Sequence, residues 1–184
     1  MAKILAIDPG NEYSAYVVYN TALTDLSDIR EMRNVIEFGK YLNSDMLSIV
    51  STTSADCMAI EMPACYGMAV GQSVFDTCRW VGRFQSIFNY VNKRPCYLVY
   101  RKAQNKEHGI DSVCMHICKN NRAKDSNVRQ AIIDRYPATG GGKTPQIGTK
   151  AQPGPLYGVS KDVWAALAVA ITFSETYSET KGNL

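Results

Sequence analysis

Lys3-Ile4-Leu5-Ala6-Ile7-Asp8-Pro9-Gly10 is an apolar run that stops on an acid and a Pro-Gly turn, and Tyr13-Ser14-Ala15-Tyr16-Val17-Val18-Tyr19 follows almost at once. The first stretch reads as a buried strand ending at Asp8. The second, rich in aromatic and β-branched residues, reads as its hairpin partner. Downstream, apolar residues near helical spacing between Ile36 and Val50 predict a helix, with room for a further strand between Asp25 and Val35. Asp56 to Glu61 is a second short buried strand, closed by Pro63, which has no N–H to give a ladder. Ser73 to Val91 predicts a long helix, and Pro95 to Tyr100 another strand. Helices are expected over Asp111 to Cys118 and Ser126 to Arg135, joined by the basic loop Lys119 to Lys124, and over Val159 to Tyr177. Strands alternating with helices place the chain in the α/β class, as a mixed sheet carrying an N-terminal hairpin.

The chain has 184 residues, 46% hydrophobic and 20% charged, the balance of one globular domain spanning 1–184 and not of a disordered chain. Residues 137–158 form a Gly/Pro-rich loop expected to be flexible, long enough to be functional. The longest mainly apolar stretch, Val163 to Phe173, is about half the roughly 20 residues that a membrane span requires. The N-terminus lacks the pattern of a secretory signal, so a cytoplasmic, non-secreted protein is expected, with its six cysteines reduced. Cys114-Met115-His116-Ile117-Cys118 invites a zinc reading. It has no second Cys/His pair at finger spacing, and Cys114 and Cys118 fall one helical turn apart, so core packing is preferred.

Net charge is +3 but unevenly spread. Lys93 to Lys161 carries thirteen Lys/Arg against four Asp/Glu, a local +9, and the remainder carries −6. That asymmetry fits a face turned to a polyanion together with acids held for metal ions, and equally a solvated basic face. Three acids sit beside apolar sequence: Asp8 and Glu61 at strand ends, and Asp162 at the start of the last helix. An ionised carboxylate there is costly unless it is paired, hydrogen-bonded or coordinated. Mg²⁺ takes oxygen ligands, and two ions about 3.5–4 Å apart can activate water and stabilise the leaving oxygen of a phosphodiester. Asp8 also fits an Asp-Pro-Gly turn, and Asp162 a dipole-complementing acid in a first helical turn. Glu61, at the end of a buried strand, fits no such local role and needs a partner.

Ile4-Leu5-Ala6-Ile7-Asp8-Pro9-Gly10 with its Tyr/Val-rich strand, Ala59-Ile60-Glu61 followed by Gly71-Gln72 and a long helix, and Asp162-Val163-Trp164-Ala165-Ala166-Leu167 together resemble the RuvC-type Holliday-junction resolvases. The resemblance runs in order along nearly the whole chain. It implies an RNase H-like fold, a five-stranded mixed sheet flanked by helices, and a homodimer that cuts four-way DNA junctions with Mg²⁺, Mn²⁺ substituting, through two ions. Carried onto this sequence, it makes Asp8, Glu61 and Asp162 the catalytic metal ligands. It makes Arg101, Lys102, Lys106, Arg122, Lys124 and Arg129 DNA contacts, and Tyr66 the aromatic that helps open the junction. The family usually has a further acid three residues after the position of Asp162, where this chain has Ala165. The loop Ala138 to Gly158 is longer than the family leads one to expect.

Gly140-Gly141-Gly142-Lys143-Thr144 ends like a phosphate-binding loop, but Pro137 stands where its first Gly belongs and no strand precedes it. Lys143 remains a candidate phosphate contact. Phe75 reads as helix core, whereas Tyr66 fits a loop residue and a base-stacking residue equally. His108 and His116 join no visible catalytic pair. Lys161 is either a solvated side chain or a phosphate contact. The rival functions are a branched-DNA-binding module without catalysis and a related nuclease acting on forks, flaps or hybrids.

Overall fold

The computed structural model describes residues 3–21, 34–65, 67, 69–102 and 110–177. A five-stranded mixed sheet has the order β3-β2-β1-β4-β5, made of β1 (Lys3–Asp8), β2 (Tyr13–Asn20), β3 (Val35–Leu42), β4 (Cys57–Met62) and β5 (Cys96–Tyr100). β1 pairs antiparallel with β2 and parallel with β4, β2 pairs antiparallel with β3, and β4 parallel with β5. The expected α/β architecture and its N-terminal hairpin are present.

Helices cover both faces, which is why β1 is apolar without alternation. Ile4 and Ala6 pack with α3 (Val113–Cys118), α4 (Asp125–Ile133) and α5 (Val163–Thr176). Leu5 and Ile7 point the other way, toward Met46 and Val50 of α1 (Asn43–Thr52) and Val81 and Phe84 of α2 (Gln72–Ile87). A π-helical turn over Phe88–Asn92 extends α2 and carries Phe88 into this second core. α5 is buried along most of its length because it lies on β1 and β2 with α3 and α4 beside it. Among the described residues no helix is long and apolar enough to cross a membrane.

Two expectations are corrected. Ile36 to Val50 is not one helix: β3 takes Val35–Leu42 and α1 begins only at Asn43. β3 is an edge strand, with Ile36, Tyr41 and Leu42 all more than 40% exposed, so its apolar residues do not report a buried face. Phe75 is 53% exposed and not core. Thr77, Val81 and Phe84 set the inward face of α2, and at 100° per residue Phe75 lies nearly opposite Thr77.

The turn behind Asp8 is clamped from α1. Asn43 is buried; its Nδ2 donates to the Gly10 carbonyl at 2.9 Å, and its Oδ1 accepts from the buried Ser14 hydroxyl at 2.6 Å. A Cβ on Gly10 would lie 2.4 Å from the Tyr13 carbonyl oxygen, so only glycine fits there. Asn43→Ala strips a buried hydroxyl and a carbonyl of their partner, and is expected to cost about 1–3 kcal/mol in urea unfolding. An unchanged midpoint would mean that the clamp contributes nothing to stability.

Candidate active site

Pleat parity brings the acids together. Asp8 follows Ile4 and Ala6 on the α5 face of β1, and Glu61 follows Ala59 on the same face of β4. Ile7 pairs with Ile60, so the two carboxylates stand side by side at the carboxyl ends of adjacent parallel strands. Arg101, directly after β5, shares the face of Val99. Asp162 enters from above as the N-cap residue of α5. Asp8, Glu61 and Asp162 line one cavity of about 350 Å³, with Arg101, Asp125 and Lys161 also in its wall. The carboxyl ends of parallel strands are where open α/β sheets generally bind their ligands.

The electrostatics of Asp8 and Glu61 are those of carboxyls withdrawn from water. Burial, then the charges of Glu61 and Asp162, pushes the Asp8 carboxyl well above the usual carboxylate range, with the Arg101 guanidinium opposing. Burial pushes Glu61 up to about 7, again against Arg101, while Asp125 raises it further. Glu61 Oε2 is sealed from solvent and has no hydrogen-bond partner. A buried carboxylate oxygen without a donor is a site for a cation or a proton. Asp8 and Glu61 therefore suit a hard divalent ion, which takes oxygen ligands, and Asp162 adds a third carboxylate. As they stand, no three acid, His or Cys side chains among the described residues are placed to share one ion. The chain's own cations engage the outer carboxylates: Lys40 Nζ lies 2.5 Å from Asp162 Oδ2, and Arg101 pairs with Asp125.

Of the expected DNA contacts, Arg101 is not on the open surface; its side chain is only 16% exposed, inside the acid cavity. Lys102 follows it, half-buried. Arg122, Lys124 and Arg129 are placed around the start of α4, Lys124 and Arg129 exposed or nearly so and Arg122 on the loop before it. Arg129 also lines the cavity, its guanidinium 5.1 Å from the centre of the Trp164 ring. Tyr66, Lys106 and His108 lie outside the described residues. Lys161 lines the cavity with φ +47°, a left-handed conformation costly for any residue with a Cβ. His116 is used structurally, its Nε2 2.5 Å from Glu175 Oε2, and Arg135 holds the same carboxylate at 2.9 Å. Cys114 is buried as expected, and Cys57, Cys78, Cys96, Cys114 and Cys118 are free thiols.

Sequence reading missed Lys40 and Asp125. Lys40 stands on β3 opposite Ala15 and reaches the start of α5, a meeting only the sheet register produces. Asp125 is the first residue of α4, whose start is tied by Asn127 Oδ1 accepting the Lys124 N–H at 3.0 Å. An acid in a first helical turn is accommodated by the helix dipole alone, so nothing in the sequence marks it.

No protein-family model matches the chain, and no curated protein matches it in sequence. Among solved structures it is similar to RuvC from Thermus thermophilus, at TM-score 0.59 and 12% identity, covering 94% of this chain and 93% of that one. It is also similar to T. thermophilus RuvC in complex with Holliday junction substrate, at TM-score 0.58 and 13% identity, covering 95% and 93%. The chain thus has the RNase H-like α/β fold in the arrangement of RuvC, the protein it resembles over nearly its full length.

Proposed function

We propose that the chain is a divalent-metal-dependent endonuclease that cuts branched DNA, with the four-way junction as substrate and a homodimer as the acting form. One observation carries this reading: the buried, partnerless Oε2 of Glu61 in a cavity that also holds Asp8 and Asp162. Support also comes from the T. thermophilus RuvC–junction complex, which this fold resembles. Asp8, Glu61 and Asp162 would hold two Mg²⁺, or Mn²⁺ in their place. When bound, such ions ease deprotonation of an attacking water and stabilise charge on the leaving oxygen. Asp8 is central, because it feels both other carboxylates. Arg101, in the cavity wall and paired with Asp125, would neutralise a phosphate that arrives there. Lys102, Lys106, Arg122, Lys124 and Arg129 would grip flanking phosphates, and Tyr66 would stack on a base at the branch.

A second reading rests on Lys40 and Arg101, which already neutralise Asp162 and Asp125. A branched-DNA-binding module that does not cut would use its acids in this way. A labelled synthetic four-way junction, incubated with Mg²⁺ and with chelator, separates the two. The nuclease gives symmetric nicks only with metal. Binding without nicks in Mg²⁺ or Mn²⁺ favours the module, and faster cutting of forks, flaps or RNA–DNA hybrids moves the substrate assignment.

A further inference from the structure

Residues 137–158 contain no long helix or strand, yet their backbone closes on itself. Gly140 N–H donates to the Pro145 carbonyl at 2.8 Å, Gly141 N–H to Gln152 at 2.9 Å, and Gly154 N–H to Ile147 at 2.9 Å. Three glycines make this closure possible. A Cβ on Gly148 would lie 2.2 Å from the Gly154 nitrogen, one on Gly154 2.3 Å from the Pro145 oxygen, and one on Gly140 2.6 Å from both. Leu156, fully buried, pins the segment to the α5-side core. The result is a preset platform next to α4.

Between platform and helix runs a polar groove of about 540 Å³. α4 contributes Arg129 and Gln130, and the platform contributes Lys143, Thr144 and Gln146. Asp134, the one acid in its wall, accepts a hydrogen bond from Gln130 Nε2 at 2.8 Å. Arg129 lines this groove and the acid cavity alike, so the two are neighbours sharing one guanidinium. Its place over the Trp164 ring gives that guanidinium a favoured position. Two cations, amides and a hydroxyl along a trough leading from the carboxylates match the donors that bind phosphates and sugars.

We propose that the groove between α4 and the 137–158 platform is the track of the DNA strand running to or from the acid cavity, with Arg129 and Lys143 binding phosphates of that one strand. The segment is thereby a strand guide built into the nuclease. This rests on the nuclease reading above, and its test separates the two.

Junction affinity is measured in chelator across a salt series for the full chain and its variants. Lys143→Ala is expected to bind about 3–10-fold more weakly near physiological salt, with the log–log salt slope shallower by about one contact. Lys143→Arg should restore both. Gly148→Ala keeps the lysine but breaks the platform, and is expected to lose affinity to a similar extent. Lys93→Ala, a basic change outside the groove, should bind as the parent does. If the parent binds and Lys143→Ala matches it in affinity and slope, the strand does not run here and the nuclease reading stands. If the parent binds no junction at all, both readings fall.

Discussion

Asp8→Asn is expected to lower junction cleavage by at least about 10³-fold while leaving junction affinity within about twofold of the parent. The asymmetry follows from what the carboxylate does. Asp8 sits inside the cavity beside two other acids, with the Arg101 guanidinium opposing their effect on it, so on the proposed reading its charge opposes DNA phosphate and would serve to hold cations. Amide for carboxylate keeps the shape and removes a ligand charge, which affects the chemical step and not the grip on the DNA. The same change should raise the thermal midpoint of the metal-free protein. It deletes a desolvated charge repelled by Glu61 and Asp162, the two neighbours that, after burial, push the Asp8 carboxyl up. Single-turnover cleavage and melting curves on one preparation read both effects. Near-parental cutting by this variant would place the chemistry elsewhere.

The second large effect is a reversal of pH dependence by metal. Glu61 ionises at about 7 in the folded chain against 4.5 for the free group, and Asp8 is shifted in the same direction. A carboxyl whose folded pKa is raised binds more protons folded than unfolded, so stability falls as pH rises. For Glu61 the loss begins near pH 4.5 and is complete a little above 7. Mg²⁺ or Mn²⁺ replaces the missing proton only where the carboxylates are ionised. Millimolar cation should therefore raise the melting temperature by roughly 5–10 °C near pH 8 and hardly at all near pH 5. Glu61→Gln should flatten the metal-free pH dependence and remove most of the cation effect. An equal response at both pH values would mean that the ion binds somewhere other than these acids.

Both expectations rest on a convergence that the sequence announced only in part. β1 was legible because a strand covered on both faces must be apolar throughout, and KILAID is apolar until its acid. Asp8, Glu61 and Asp162 stood out because each carries charge beside such sequence, and Glu61, at the end of a buried strand, had no local role to account for it. β3 was misread because an edge strand open to solvent need not alternate. Phe75 was misplaced because the phase of α2 is set by the sheet beneath it, not by its own composition.

Local chemistry along the chain therefore named most of the strands, their order of appearance and the costly acids. Which side chains meet was settled only by folding. Lys40 reaches Asp162 across 122 positions, and Arg101 reaches Asp125 across 24, because strand order and pleat parity turn them to one face. Such meetings depend on the register between distant segments, and register is a property of the assembled sheet that no single stretch of sequence encodes.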